Sequence, residues 1–228
     1  MYPGLTARPF WDAVQFPWAA AVAARAPEIL REYDDLQASH ASSDYSVADG
    51  EATLHSGYWD WHSLIVKGRV EPRLAAACGV TLGALLGDVG PDLLRDDVPF
   101  AYAFYSTLAP GASIAPHFGP SNIRLRVHLP LRVPSADADE CGITVAGESR
   151  PWIAGSPLVF DDSFEHSTHN RAATGRVVLL FDVWHPELSR AERASLAGMF
   201  AYAREQRWLR AGASGGNSSK SGGSGEQQ

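Results

Sequence analysis

A chain of 228 residues, 45% hydrophobic and 10% aromatic, can bury a sizeable core, and its length fits one domain better than two. A net charge of −7 argues against nucleic acid or anionic lipid as partner, because either needs clustered positive charge to displace counterions. Cys78 and Cys141 lie too far apart for zinc-ligand spacing or a disulfide framework, so reduced thiols and a cytoplasmic setting are expected.

The opening Met1-Tyr2-Pro3-Gly4 lacks a basic region followed by an apolar stretch, and the Ala-rich run from Ala19 to Ala24 is too short to span a bilayer. No membrane partner is expected. From Trp18 to Leu36 the Ala, Leu and Glu content predicts helix, with Pro27 placed to open a second helix in its first turn, where no N–H donor is needed. A polar interval from Ser39 to Asp49 leads into residues 59–66, whose aromatic and β-branched side chains favour a strand. Glu71 to Leu86 reads as helix. After Pro99 short apolar runs at 100–108, 123–133, 142–146, 157–161 and 176–184 are separated by Pro, Gly and Asp, the spacing of a β-sandwich or jelly roll.

Within the second run, Arg124-Leu125-Arg126-Val127-His128-Leu129 alternates strictly, putting Arg124, Arg126 and His128 on one strand face and the three apolar residues on the other. Val177 to Phe181 is continuously apolar, as in a strand covered on both sides. A helix is predicted from Ser189 to Trp208, with Glu192 spaced to close a capping box on Ser189. The organisation expected is one domain over 1–210, comprising a helical N-terminal region over residues 1–98, a jelly-roll core over 99–188 and a C-terminal helix over 189–210, followed by a disordered Gly- and Ser-rich tail over 211–228.

Two histidines stand at strand ends beside turns: His117 in Ala115-Pro116-His117-Phe118-Gly119, and His166 after Leu158-Val159-Phe160-Asp161-Asp162-Ser163-Phe164-Glu165. On a jelly roll such ends can converge on one metal, and neutral imidazoles suit iron, zinc, copper or nickel alike. Arg126 and His128 share a strand face soon after His117, and Arg176 opens the apolar strand after His166. A guanidinium at the end of a core strand needs an anion, supplied either by a dicarboxylate cosubstrate or by the chain's own Asp and Glu. Asp161, Asp162 and Glu165 either orient the ligand rings or cap a turn. His185 is read as fixing the chain turn after the buried strand, and His169 is left out of the metal site.

Four ordered segments carry a resemblance: residues 116–122 (PHFGPSN), 124–129 (RLRVHL), 160–166 (FDDSFEH) and 182–188 (DVWHPEL). Together they resemble the aspartyl/asparaginyl β-hydroxylases, closely over about residues 99–195. The resemblance implies a mainly β fold with flanking helices, a double-stranded β-helix (jelly roll, cupin-like). It also implies an Fe(II)- and 2-oxoglutarate-dependent dioxygenase that uses O2. His117 and His166 match that family's two iron ligands, with Gly119 standing where most 2-oxoglutarate oxygenases carry an acidic ligand. Ser106 and Arg176 match its contacts to one carboxylate of 2-oxoglutarate, and Arg126 and His128 those to the other. The implied reaction is hydroxylation of the β-carbon of an aspartyl, asparaginyl or related residue, as a free amino acid, an aminoacyl group on a carrier, or a peptide. A radical halogenase on the same scaffold and a non-catalytic 2-oxoglutarate-binding module are the competing readings.

Overall fold

The computed structural model describes residues 1–39, 43, 55–95 and 98–209. Two β-sheets lie face to face. The larger contains β1 (Phe10–Trp11), β3 (Trp59–Val66), β4 (Arg69–Val70), β5 (Tyr102–Leu108), β7 (Arg124–Arg132), β10 (Leu158–Phe160) and β12 (Arg176–Trp184), in the order β1-β10-β7-β12-β5-β3-β4. The smaller contains β2 (His55–Ser56), β6 (Ser113–His117), β8 (Cys141–Val145), β9 (Glu148–Pro151) and β11 (His166–Asn170), in the order β2-β6-β11-β8-β9. From β5 to β12 the chain passes repeatedly between the two sheets, and every pairing is antiparallel, which makes the core a jelly roll.

The alternation in β7 decides which side faces what. Leu125, Val127 and Leu129 point to the outer face of the large sheet, where they pack with Leu179, Phe181 and Val183 of β12. Helices α1 (Ala19–Ala24) and α2 (Ala26–Ala38) cover that face with Val22, Ile29 and Tyr33, and Pro27 sits in the first turn of α2 as expected. Each such aliphatic side chain contributes roughly 1.5–3 kcal/mol on full burial. A second apolar cluster fills the space between the sheets, joining Cys141, Ile143 and Val145 of β8 to Phe104, Phe160, Val178 and Leu180 of the large sheet.

Three expectations need correction. The helix read over 71–86 is broken into α3 (Pro72–Ala75), α4 (Gly79–Gly83) and a π-helical turn, Ala84–Val89. Gly79 and Gly83 are poor helix formers, and Glu32 restarts the chain at α4 by accepting from the backbone N–H groups of Val80 and Thr81 at 2.6 and 2.8 Å. The region over residues 1–98 is not simply helical: the strand expected over 59–66 is present as β3 and pairs with β5 over seven residue pairs, and β1, which was not expected, extends the same sheet. Strands β6, β9 and β11 were absent from the apolar runs. At the other end, α5 (Arg190–Glu205) begins as expected, Ser189 and Glu192 forming a reciprocal capping box. The polar interval after Ser39, except Ser43, and the tail 211–228 lie outside the described residues. Among those described, no helix is long and apolar enough to cross a membrane.

Candidate metal and anion site

His117 ends β6 and His166 begins β11, and the two residues are direct cross-strand partners in the small sheet. Their rings lie 4.1 Å apart between centroids. Each ring turns Nδ1 toward the carbonyl two residues back, His117 to Ala115 at 2.8 Å and His166 to Phe164 at 3.0 Å. A carbonyl oxygen only accepts, so each Nδ1 carries a hydrogen, and a ring with a single hydrogen then has its lone pair on Nε2, the state a metal requires. Burial, then the neighbouring His117, pushes the His166 pKa down to about 4 and keeps it neutral. Among the described residues, no group of three or more His, Cys, Asp or Glu could hold a metal ion. Two imidazoles and a polar surround suit a first-row divalent metal that keeps open positions for other ligands.

The anion anchors lie on the opposite wall. Arg176 opens β12 and is 1% exposed, yet its Nε has no hydrogen-bond partner and no carboxylate pairs with the guanidinium among the described residues. Its guanidinium instead meets the ring of Trp152, whose centroid lies 4.7 Å from Cζ. Burial lowers its pKa to about 10, which registers how costly an uncompensated guanidinium is there. Ser106 on β5 is buried opposite Val178 of β12, one alternation along from Arg176, and its hydroxyl accepts from Trp59 Nε1 at 2.9 Å. His128 sits opposite Leu180 of β12, buried beneath Trp152 and Phe160. Burial first, then Arg176 and Arg126, holds its pKa well below the ordinary range. A buried, unpaired guanidinium flanked by a hydroxyl and an imidazole fits a carboxylate group in the space between the sheets.

Arg126 is placed differently from Arg176. It lies opposite Asp182 of β12 and makes a two-pronged contact to that carboxylate, Nε–Oδ1 2.9 Å and Nη2–Oδ2 3.2 Å. Asp162 lies 3.6 Å from its Nη1. Arg124 is buried and bridges the same two carboxylates, through Nε–Oδ1 of Asp162 at 3.2 Å and Nη1–Oδ2 of Asp182 at 3.1 Å. Asp162 is therefore one of a largely buried quartet with Arg124, Asp182 and the partly exposed Arg126, and neither of the two roles read from sequence describes it. Burial alone would raise its pKa, but the two arginines outweigh burial and hold the carboxyl below the usual range. Asp161 follows the turn-capping reading, accepting from the Ser163 N–H at 2.9 Å.

Asp162 also explains why residue 119 is glycine. A methyl carbon built on Gly119 would lie 2.7 Å from Oδ1 of Asp162 and closer still to its Cγ and Oδ2. The space a side chain at 119 would enter is occupied by a carboxylate already held by two arginines.

The six residues singled out from sequence thus divide into a histidine pair on the small sheet and Ser106, Arg126, His128 and Arg176 on the inward face of the large one. His185 acts at the chain turn as expected, bonding the Thr6 carbonyl and the Glu187 N–H. His169 bonds the Asp139 carbonyl on the surface. Sequence reasoning missed Asp182 and Trp152. The signal for Asp182 was a lone acid inside an otherwise apolar strand, which must have a cationic partner across the sheet.

The family model for Aspartyl/Asparaginyl beta-hydroxylase matches residues 23–186. The chain is 34% identical over 182 residues to aspartate beta-hydroxylase domain-containing protein 2 of Homo sapiens, covering 77% of this chain and 47% of that protein. It is 32% identical over 199 residues to the aspartyl/asparaginyl beta-hydroxylase of Homo sapiens, covering 85% and 25%. The chain therefore spans about half the length, or less, of these curated relatives. Among solved structures, a prolyl hydroxylase from Trichoplax adhaerens in complex with a hypoxia inducible factor peptide fragment is similar at a TM-score of 0.49 and 13% identity, covering 75% of this chain and 81% of that one.

Proposed function

Because the chain belongs to the aspartyl/asparaginyl β-hydroxylase family, we propose that it is an Fe(II)- and 2-oxoglutarate-dependent hydroxylase acting on the β-carbon of an aspartyl, asparaginyl or related residue. The observation that carries this reading is Arg176, a buried cation with no carboxylate partner among the described residues, in the same inter-sheet space as two histidines whose lone pairs sit on Nε2. His117 and His166 would hold the metal. When bound, iron(II) with O2 and 2-oxoglutarate supplies oxidative chemistry whose coproducts are succinate and carbon dioxide.

The chain's own residues bind and orient. Arg176 and Ser106 would take one carboxylate of the cosubstrate in a dry pocket, where charge-assisted hydrogen bonds are strong. His128 and Arg126 would meet the other. Asp182 and Asp162 fix the Arg126 guanidinium by its Nε and Nη groups, so its direction is set before any ligand arrives. Phe160 packs against both His128 and His166, at 5.0 and 5.5 Å between ring centroids, and its apolar ring excludes water between them.

The test is anaerobic loading of the protein with Fe(II), addition of 2-oxoglutarate and O2, and mass spectrometry of free amino acids and of Asp- and Asn-containing peptides. Substrate-stimulated succinate with a product one oxygen atom heavier is expected. Failure to bind either iron or 2-oxoglutarate would overturn the reading.

A further inference from the structure

Three histidines face the inter-sheet space, and they differ in what Nδ1 meets. For His117 and His166 it is a carbonyl oxygen, which can only accept. For His128 it is the indole of Trp152, whose Nε1–H lies 3.1 Å away and can only donate. The two arrangements demand opposite tautomers. His128 must keep its lone pair on Nδ1, and in a neutral ring the hydrogen then goes to Nε2. Burial and the adjacent Arg176 and Arg126 disfavour a second proton on that ring.

The same indole has a second contact. Trp152 follows β9, is 0% exposed, lies at 30° to the His128 ring, and puts its face under the Arg176 guanidinium at 4.7 Å. One side chain thus touches both nitrogen-bearing anchors that have no acidic partner, His128 through its N–H and Arg176 through its π face.

We propose that Trp152 is a positioning residue for the 2-oxoglutarate site: its N–H fixes His128 as a hydrogen donor at Nε2, and its ring face holds the Arg176 guanidinium in the plane that receives a carboxylate. This rests on the proposed cosubstrate, but the tautomer it requires is a property of the ligand-free protein. It also sorts the three histidines by role, two offering a lone pair and one offering a hydrogen.

The first arm uses metal-free wild-type protein labelled with 15N at histidine, with two-bond 1H–15N correlation and His128→Gln to assign the resonance. The expected pattern for His128 is a protonated Nε2 and an unprotonated, accepting Nδ1. A hydrogen on Nδ1 of His128 would overturn the proposal. The second arm measures 2-oxoglutarate affinity anaerobically with Mn(II), comparing wild type, Trp152→Phe, and a variant carrying the benzothiophene isostere of tryptophan at 152, in which sulfur replaces the N–H at nearly constant shape. Losing the N–H that fixes the His128 tautomer and ring orientation removes a neutral hydrogen bond, which predicts roughly three- to tenfold weaker binding in both variants. In turnover, KM for 2-oxoglutarate should rise while kcat at saturation is largely kept. Should Trp152→Phe not fold, the isostere carries the comparison. Wild-type affinity in the isostere sinks the positioning role alone, whereas absence of 2-oxoglutarate binding by wild type sinks the cosubstrate reading and the proposal with it.

Discussion

Gly119→Ala should destabilise the protein, although the opposite sign would be the default. Gly119 is not among the glycines with positive φ, so alanine fits its backbone and would ordinarily stabilise by about 0.4–1 kcal/mol through the unfolded chain. Here the new methyl would stand 2.7 Å from Oδ1 of Asp162 and closer to its Cγ and Oδ2, against an ordinary carbon–oxygen spacing of about 3.5 Å, so the carboxylate must retreat by at least roughly 0.8 Å. Retreat lengthens the Arg124 Nε contact, now 3.2 Å, and disturbs the pairing with Arg126. Overpacking costs about 1–3 kcal/mol, and outright loss of a buried ion pair about 3–5, so the net falls at roughly 2–5 kcal/mol. For a domain of this size that lowers Tm by roughly 4–20 °C. Urea and thermal unfolding of the metal-free protein would measure it. In an Asp162→Gly background the same Gly119→Ala change should be neutral or slightly stabilising, so a double-mutant cycle isolates the clash. A Gly119→Ala protein as stable as wild type would refute the argument.

Replacing Arg176 with Met should leave the ligand-free protein as stable as wild type or more so, since it removes a buried cation with no acidic partner; calorimetry should show that stability alongside lost 2-oxoglutarate binding. His166→Ala removes one of two proposed metal ligands, so metal titration and the succinate assay should both read near zero. In the metal-free protein the His166 pKa of about 4, below its ordinary 6.5, means the unfolded chain takes up a proton first. Stability should therefore be full above about pH 6.5 and fall by about 3 kcal/mol as pH drops to about 4, which urea titrations at stepped pH would follow. Ser189→Ala should cost about 1 kcal/mol by opening the α5 capping box, with no change in metal affinity.

What the sequence discloses depends on how each element is stabilised. β7 is legible because its two faces meet different media, so Leu125, Val127 and Leu129 alternate with charged residues. The α5 start is legible because a capping box is local chemistry. β9 (Glu148–Pro151) and β11 (His166–Asn170) are polar and are held by their neighbours in the sheet, so no apolar period marks them. The histidine pair was visible as two strand-end motifs. The role of Asp162 was not, because it depends on Arg124 turning inward, and a strand face alone does not say whether a guanidinium meets solvent or a carboxylate. Trp152 was equally hidden, its two contacts reaching residues 24 positions away on either side.

All nine residues of β12 are buried, and the strand is flanked on both edges by β7 and β5. Its central amides can exchange with solvent only when the whole sheet opens, so their exchange rates report global rather than local unfolding. Arg176 is the first residue of that strand. A ligand bound there at a hundred times its Kd adds about 2.7 kcal/mol to the opening free energy, slowing exchange along β12 by about a hundredfold. Deuterium uptake in this single strand is thus a calorimeter for occupancy of the anion pocket, usable before any substrate is known.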